Sequence, residues 1–274
     1  MKKSNLHTHT VLCDGRDTVR HMADRAYGKG FVSLGFSGHG KQTCNQFGIR
    51  DEHEYAAEVR AAARAYEGRM RIWLGVEQDY YGVCGIKYDY RLGAVHYLTG
   101  DDGELYGIDH SLDTFSEMFA YFGGDIRTLA RAYYDKVYEM AANNRPDVIV
   151  HYDLICKFNE NNRFFDEEDP VYRRIALETL EAICPLCDML EVNTGAMARL
   201  WRTRPYPTPE LLGRWHELGG RVIIGSDCHD AEKLDWGFDA ARALIEGAGY
   251  KTVWRLGDAD ELFVEDELFV EDEL

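Results

Sequence analysis

Seven short apolar runs in this chain are each followed by a segment with helical patterning, and a polar side chain marks the end of each run. Parallel strands need long crossover connections, which helices usually provide, so this alternation predicts a parallel sheet. Seven such units approach the eight of a closed β/α barrel. The sequence therefore predicts a barrel-like α/β fold with its polar chemistry gathered at one end.

The spacing of apolar and capping residues gives approximate bounds for these elements. The predicted strands are the opening segment with His7 and His9, then residues 31–36, 71–76, 92–95, 148–150, 189–192 and 221–225. The predicted helices are residues 18–28, 51–67, 170–183, 209–218 and 238–248, with two more between residues 114 and 143. No Pro- or Ser-rich linker divides residues 1–255, so they are predicted to form one domain. Residues 99–125 are predicted to be an insertion, either a lid or a surface segment.

An acidic repeat ends the sequence. Residues 256–274 contain nine Asp or Glu and no Lys or Arg, and the six residues E-L-F-V-E-D recur there. A period of six matches neither a helix face nor a heptad. We expect a peripheral tail without a catalytic role.

Composition excludes some classes of function. The formal net charge is -17, and the chain is acidic even without its tail, so broad binding to a nucleic-acid backbone is not expected. Seven cysteines in 274 residues do not indicate a disulfide framework. The sequence shows neither a signal-peptide pattern nor an apolar run of the roughly 20 residues needed to span a bilayer. We expect a reduced, cytoplasmic protein without a membrane or nucleic-acid partner.

The polar residues at the strand ends are mostly potential metal ligands. In chain order they are His7 and His9, His39, Glu77, His96, His151, Asn193, and Asp227 with His229. The C-terminal ends of barrel strands are where active sites lie. Imidazole and carboxylate together suit Zn²⁺, Fe²⁺ or Mn²⁺. The sequence therefore predicts a metal site at this end of the barrel.

The number of ligands indicates more than one ion. With Asp14 included and Asn193 left out, the ligand candidates number nine, whereas a single zinc takes about four ligands. Two or three ions are therefore expected, and Glu77 can bridge two of them because it has two oxygens. Sites with several ions favour in-line displacement at phosphorus, in which the ions hold a hydroxide and the phosphoryl oxygens.

The ordered motifs H-T-H, S-G-H, G-V-E, A-V-H, V-H-Y-D and G-S-D-C-H resemble those of the PHP superfamily, named for polymerase and histidinol phosphatase. The resemblance extends from His7 to about Leu244 and is closest to the histidinol-phosphatase branch. It implies a distorted (β/α)7 barrel with three metals. One ion would be held by His7, His9, Glu77 and Asp227. A second would be held by Glu77, His96 and His151, and a third by Asp14, His39 and His229.

The resemblance also implies an activity. It predicts a metal-dependent phosphatase that hydrolyses the small molecule L-histidinol phosphate, with Asp14, Glu77, Asp227 and His229 at the reacting centre. Basic residues from the barrel loops hold phosphate in this family, and Arg163 and Arg199 are the candidates here, with Asn193 a further candidate for substrate binding or for capping the next helix. Asp109 and Asp153 are candidates to meet the substrate amine.

Other readings of the same residues stay open. The substrate could be another small phosphomonoester, a sugar phosphate or a nucleotide bisphosphate. A metal-bound scaffold without catalysis is a different class, and an open site with nine ligands argues against it. An amidohydrolase would usually carry a carboxylated lysine in mid-barrel, where this chain has Glu77. The sequence leaves the oligomeric state and the metal identity open.

Overall fold

The computed structural model describes residues 1–41 and 47–268 of the chain. Eleven strands lie within these ranges: β1 Lys3–Asn5, β2 Phe31–Phe36, β3 Arg71–Asp79, β4 Tyr90–Ala94, β5 Tyr97–Thr99, β6 Leu105–Gly107, β7 Val148–Ile149, β8 Met189–Asn193, β9 Arg221–Gly225, β10 Thr252–Leu256 and β11 Phe263–Glu267. The α-helices are α1 Val19–Gly28, α2 Glu52–Ala65, α3 Leu112–Tyr121, α4 Ile126–Asn144, α5 Pro170–Ile183, α6 Gly195–Ala198, α7 Pro209–Glu217 and α8 Phe238–Gly247. No helix in these ranges is both long and apolar enough to cross a membrane.

Nine of these strands form one sheet, in the order β1-β2-β3-β4-β7-β8-β9-β10-β11. Strands β1 to β10 of this series pair in parallel, and β11 pairs antiparallel to β10. The sheet curls until its two sides meet. Just beyond β1, His9 N–H donates to the Cys228 carbonyl (2.8 Å), and Cys228 N–H donates to the His7 carbonyl (3.0 Å). Strand β10 contacts β1 and β2 in turn. These contacts close the barrel.

Local sequence explains where the helices begin. The Thr18 side chain accepts from the His21 N–H at the start of α1, and Asp51 accepts from His53 and Glu54 at the start of α2. Asp169 caps α5 in the same way, and Pro170 follows at the first helical position. These caps lie at or next to the residues where the sequence predicts that the helices begin. Strands β2 and β9 and helix α5 have the predicted bounds.

The barrel interior is filled from alternating small and large positions. Its apolar cluster comprises Leu6, Trp73, Tyr90, Leu92, Ala94, Val148, Val150, Met189, Ile223 and Leu256. Tyr90 on β4 is 1% exposed and lies over two glycines of neighbouring strands, Gly35 and Gly75. Its hydroxyl donates to the Leu6 carbonyl, one residue before the first candidate ligand. The core thus supports the end of the barrel where polar residues gather.

Three features differ from the expectations. Strand β1 ends at Asn5, so His7 and His9 lie just after it rather than in it. An eighth parallel strand, Thr252–Leu256, joins the barrel. The sequence pattern does not predict it, because T-V-W-R-L is short and its charged residue interrupts the apolar pattern. The boundary predicted after residue 255 therefore falls inside β10. Residues 263–267 of the acidic repeat form an edge strand that pairs with β10. Side chains in a strand alternate between the two faces of the sheet, so the six-residue repeat of the sequence does not prevent pairing. Residues 269–274 lie outside the described ranges.

The predicted insertion has its own structure. Strands β5 and β6 form an antiparallel hairpin, and helix α3 follows it. The insertion packs through Phe115 and Met118, which are both fully buried, into the main apolar cluster. Tyr97, Asp109 and His110 from this region reach the cavity described below.

Candidate metal centre

All nine candidate ligands converge at the C-terminal ends of the strands. Four groups of them have ligand atoms within 4.8 Å of one another: His9, Asp14, His39 and His229; His7, Glu77 and His151; His7, His9 and Asp227; and His39, Glu77 and His96. Because the groups share members, they form one continuous cluster rather than separate sites. This is the arrangement that the position of the residues along the chain predicts.

Glu77 lies at the centre of the cluster, and each of its oxygens faces a different set of imidazoles. Oε1 lies 2.8 Å from His151 Nε2 and 3.3 Å from His96 Nε2. Oε2 lies 3.3 Å from His7 Nε2, 3.5 Å from His9 Nε2 and 2.9 Å from His39 Nδ1. The side chain is 1% exposed. A carboxylate in this position can bridge two cations.

A second carboxylate, Asp227, lies between the two histidines of the H-T-H motif. Its Oδ1 is 3.3 Å from His9 Nε2 and 3.7 Å from His7 Nε2. It adopts a left-handed backbone conformation with φ of 46°, which few non-glycine residues adopt. Gly195 leaves room for the Asp227 side chain, because a Cβ atom at Gly195 would lie 2.8 Å from it.

The outer part of the cluster is nearer to solvent. Asp14 Oδ2 lies 3.1 Å from His229 Nε2 and 3.5 Å from His39 Nε2. Asp14 Oδ1 lies 3.3 Å from His9 Nδ1. The side chains of Asp14, His39 and His229 are between 16% and 24% exposed, whereas those of His7 and His9 are 0% exposed. The cluster therefore has a buried inner part and an accessible outer part.

The chemistry of the cluster fits divalent cations. Within residues 1–41 and 47–268, six of its buried polar atoms find no hydrogen-bond partner: His7 Nε2, His9 Nε2, Asp14 Oδ1, Glu77 Oε2, His96 Nδ1 and His151 Nδ1. Buried polar atoms are normally satisfied, and a concentration of exceptions indicates an ion. Several of these atoms also face other ligands of the cluster at distances too long for a good hydrogen bond. We conclude that the residues fit divalent metal ions.

The electrostatics of the cluster point the same way. Burial alone lowers the pKa of His7, but attraction from Glu191, Glu77 and Asp227 outweighs it and raises that pKa to about 10. Burial likewise lowers the pKa of His39, but attraction, chiefly from Glu77, outweighs it and raises that pKa to about 9. Burial raises the pKa of Glu77, yet the surrounding imidazoles hold it well below its usual value. The carboxylates thus create a strong negative potential that attracts either protons or metal ions to the imidazoles.

A cavity of about 340 Å³ opens above the outer part of the cluster. Its cationic lining residues are Arg16, Lys157 and Arg199. Arg199 pairs with Asp227 Oδ2 at 2.7 Å, and Lys157 Nζ donates to Asp109 Oδ2 at 2.9 Å. The remaining wall is aromatic, formed by Phe47, Tyr97, His110, Phe158 and Trp201. The cavity combines anion-binding side chains with flat apolar surfaces.

Two of the predicted substrate residues are not part of this cavity. Arg163 is exposed outside it, with its guanidinium over the Phe164 ring at 5.7 Å, because the loop after residue 160 turns it away. Asn193 is fully buried beneath the ligands. Its Nδ2 donates to Glu191 Oε2 at 2.7 Å, and its Oδ1 accepts from Gly195 N–H at 2.8 Å. Of the three, Arg199 alone lines the cavity.

The two acidic candidates for the amine also differ. Asp109 lines the cavity beside Lys157. Asp153 is buried outside the cavity, where its Oδ2 accepts from Thr208 N–H at 3.0 Å. Burial raises the pKa of Asp153 to about 6. Asp153 therefore holds the backbone at Thr208, just before helix α7, and does not reach the cavity.

The sequence reasoning missed two buried carboxylates behind the ligands. Glu191 lies 2.8 Å from His7 Nδ1, and Asp79 accepts from the His96 N–H at 2.7 Å. Both are 0% exposed. The available signal was an acidic residue inside an apolar strand, since an unpaired buried charge is too costly to occur without a partner. Lys157 was missed because it follows the strand end by several residues.

Comparison with known proteins identifies the family of this chain. A PHP domain model matches residues 5–195. The "probable histidinol-phosphatase" of Deinococcus radiodurans is 30% identical over 266 residues, covering 90% of this chain and 94% of that protein. The histidinol-phosphatase of Bacillus subtilis is 24% identical, covering 88% of this chain and 98% of that protein.

A solved structure confirms the predicted fold. The histidinol phosphate phosphatase of Lactococcus lactis, crystallised with zinc, L-histidinol and phosphate, aligns with a TM-score of 0.72 at 19% identity, covering 94% of this chain and 97% of that one. The matched model spans five of the six strand ends that carry candidate ligands, and the Deinococcus relative extends the match over nearly the whole chain. A chain with this ligand cluster and these matches belongs to the PHP domain family.

Proposed function

We propose that this protein is a metal-dependent phosphomonoesterase that hydrolyses L-histidinol phosphate to L-histidinol and phosphate. One observation carries the proposal: nine residues suited to divalent ions form one cluster, and six of them line a cavity whose wall bears Arg199 and Lys157. Cationic side chains beside a metal cluster are the combination that phosphoryl groups need. The names of the Deinococcus and Bacillus relatives support the choice of substrate.

We propose that the cluster holds two or three ions, of zinc, iron or manganese. When bound, such ions supply Lewis-acid activation of water and of the phosphoryl oxygens. Glu77, whose two oxygens face different sets of imidazoles, would be shared by two of them, and Asp227 would act together with His7 and His9. Asp14, His39 and His229 would hold the outermost ion, which is the one nearest to the cavity.

The cations of the wall bind the phosphoryl oxygens. Arg199 is kept in place by Asp227, to whose carbonyl and carboxylate oxygens it donates at 3.2 and 2.7 Å. Lys157 is kept in place by Asp109. These pairings fix the two cations before substrate arrives, so little side-chain entropy is lost on binding. Both cations also offset the charge that develops on the phosphoryl oxygens.

The aromatic wall receives the leaving group. Phe158 and Trp201 meet edge to face with ring centroids 4.8 Å apart, and Phe47 lies 4.8 Å from His110. A flat imidazole ring packs on such surfaces. Asp109 is the carboxylate of this wall that is available to the substrate amine.

The free thiols of all six cysteines in the described ranges support our further proposal of a reducing, cytoplasmic location.

A substrate panel tests the proposed function. The metal-free protein is reconstituted with Zn²⁺, Mn²⁺ or Fe²⁺, and phosphate release is measured from L-histidinol phosphate, glycerol phosphate, a sugar phosphate and a nucleotide bisphosphate. We expect kcat/KM to be much the highest for L-histidinol phosphate. A flat profile would reject this substrate, and a preference for another compound would select the corresponding alternative.

A further inference from the structure

Glu191 on β8 is a buried carboxylate that the proposed mechanism does not use. It is 0% exposed. Its Oε1 lies 2.8 Å from His7 Nδ1, and its Oε2 accepts from the His151 N–H at 3.2 Å and from Asn193 Nδ2 at 2.7 Å. Glu191 therefore contacts two candidate metal ligands on the side away from the cluster. It contacts His7 at the imidazole ring and His151 at the backbone N–H.

The contact with His7 determines how that ring meets an ion. A neutral imidazole that donates its Nδ1–H to a carboxylate carries its lone pair on Nε2. His7 Nε2 has no hydrogen-bond partner and faces Glu77 Oε2 at 3.3 Å and Asp227 Oδ1 at 3.7 Å. The Glu191 contact thus fixes both the tautomer and the orientation of the ring, and a carboxylate partner makes the ligand more basic.

The contact with His151 acts on its backbone. His151 has a φ of 30°, a conformation that costs a residue with a side chain free energy and persists only when neighbours enforce it. Glu191 Oε2 accepts the N–H of this strained residue, whose Nε2 lies 2.8 Å from Glu77 Oε1. One carboxylate therefore sets the separation of two imidazoles, whose ring centroids are 5.9 Å apart.

The neighbouring strand is shaped around Glu191. A Cβ atom at Gly225 on β9 would lie 1.9 Å from Glu191 Oε1, so only glycine leaves room for the carboxylate. On the other side, the Asn193 amide that donates to Oε2 is itself held by the Gly195 N–H at 2.8 Å. The carboxylate thus lies in a tightly fitted position with three donors around it.

We propose that Glu191 is a positioning residue that sets the divalent-ion affinity of the inner part of the cluster, where His7, Glu77 and His151 meet. We expect the outer ion, at Asp14, His39 and His229, to be affected least, because Glu191 contacts none of these three residues. The inference deepens the proposed function, since it concerns the same ions. It is tested through metal binding, so its failure is distinguishable from failure of the substrate assignment, which the substrate panel decides on the unaltered protein.

The test compares Glu191→Gln with the unaltered protein in a Zn²⁺ titration against a chromophoric chelator, with bound metal counted by atomic emission. Glutamine has the same size but cannot accept on both sides, so at least one of the three contacts is lost. We expect a biphasic curve in which part of the Zn²⁺ binds about 10- to 100-fold more weakly and the remainder binds unchanged. Glu167→Gln is the matched control, because Glu167 is a largely buried carboxylate that holds Arg202 instead of a histidine.

The form of the titration decides the outcome. Equal weakening of every equivalent, or unchanged affinity throughout, overturns the proposal, because a general loss of stability would act on all ions alike. If Glu191→Gln does not fold, Asn193→Ala keeps the carboxylate and removes one of its donors. A smaller loss confined to the same fraction of the Zn²⁺ then supports the proposal, and an unchanged titration overturns it.

Discussion

The contact between Tyr90 and two glycines in the barrel interior allows packing to be tested atom by atom. A Cβ atom at Gly35 would lie 2.1 Å from Tyr90 Oη, and one at Gly75 would lie 2.2 Å from Tyr90 Cζ. Both distances are well below the 3.0 Å that real Cβ contacts respect. Either alanine substitution forces the ring to move, and such overpacking costs about 1–3 kcal/mol of the free energy of unfolding.

The shortest contact is with the Tyr90 hydroxyl for Gly35 but with ring carbons for Gly75, which makes the effects of the substitutions separable. Phenylalanine at position 90 lacks the hydroxyl that faces Gly35 but keeps the ring carbons that face Gly75. Alone, Tyr90→Phe loses the hydrogen bond to the Leu6 carbonyl and costs about 1 kcal/mol. Combined with Gly35→Ala, it also removes the shortest contact, so we expect a favourable coupling energy of about 1–2 kcal/mol. Relief is partial, since Leu256 Cδ1 and the ring carbon Cζ would still lie 2.7 and 2.9 Å from the new Cβ atom.

The Gly75 pair is the internal control. Tyr90→Phe leaves the ring against Gly75→Ala, so these two substitutions are expected to add to within about 0.5 kcal/mol. The measurement is urea unfolding at 25 °C at one saturating Zn²⁺ concentration, followed by tryptophan fluorescence. Equal coupling for the two pairs, or a cost below about 0.5 kcal/mol for Gly35→Ala, would show that the Tyr90 ring does not lie on these glycines.

Three further outcomes follow from other contacts. Arg199→Met is expected to lower kcat/KM for L-histidinol phosphate by about 100-fold, whereas Arg163→Met, outside the cavity, leaves steady-state kinetics unchanged; similar losses for both would remove Arg199 from the phosphate site. Chelation of the metals is expected to lower the Tm by roughly 5–10 °C for each ion that had been present at 100 times its Kd, and calorimetry that finds the same Tm with and without chelator contradicts bound ions. Arg202→Met removes guanidinium contacts of 2.7 and 3.0 Å from the largely buried Glu167, which keeps Arg204 and Asn159 as partners, and is expected to cost about 1.5–3 kcal/mol in urea unfolding, whereas Arg173→Met, at surface pairs with Glu168 and Glu210, costs less than about 1 kcal/mol; equal costs would refute the distinction between the buried and the surface pairs.

Much of the fold was predictable because apolar runs and caps act locally. Phe31–Phe36, Arg221–Gly225 and Pro170–Ile183 have the predicted bounds, since turn glycines, a buried run or a cap defines each end. Thr252–Leu256 was not predicted, because its place in the barrel depends on contacts with strands at the other end of the chain. The pairing of Phe263–Glu267 depends in turn on that strand.

The ligands were more predictable than the residues that bind substrate. A histidine or carboxylate at the end of a strand is placed by the strand itself, so the convergence of His7, Glu77 and His151 followed from their order along the chain. Arg163 and Lys157 lie on loops, and which of them reaches the cavity depends on the path of an irregular segment. The role of Asn193 as a partner of Glu191 depends on a contact that no periodicity encodes.

The closure of the barrel through His7, His9 and Cys228 has a consequence during synthesis. The two sides of this seam lie about 220 residues apart in the sequence, so the first leaves the ribosome well before the second. Bringing such distant segments together is entropically costly and occurs late. Because Asp227 and His229 flank the same seam, a nascent or truncated chain lacks part of the ligand set, and we expect full metal loading to be a post-translational event.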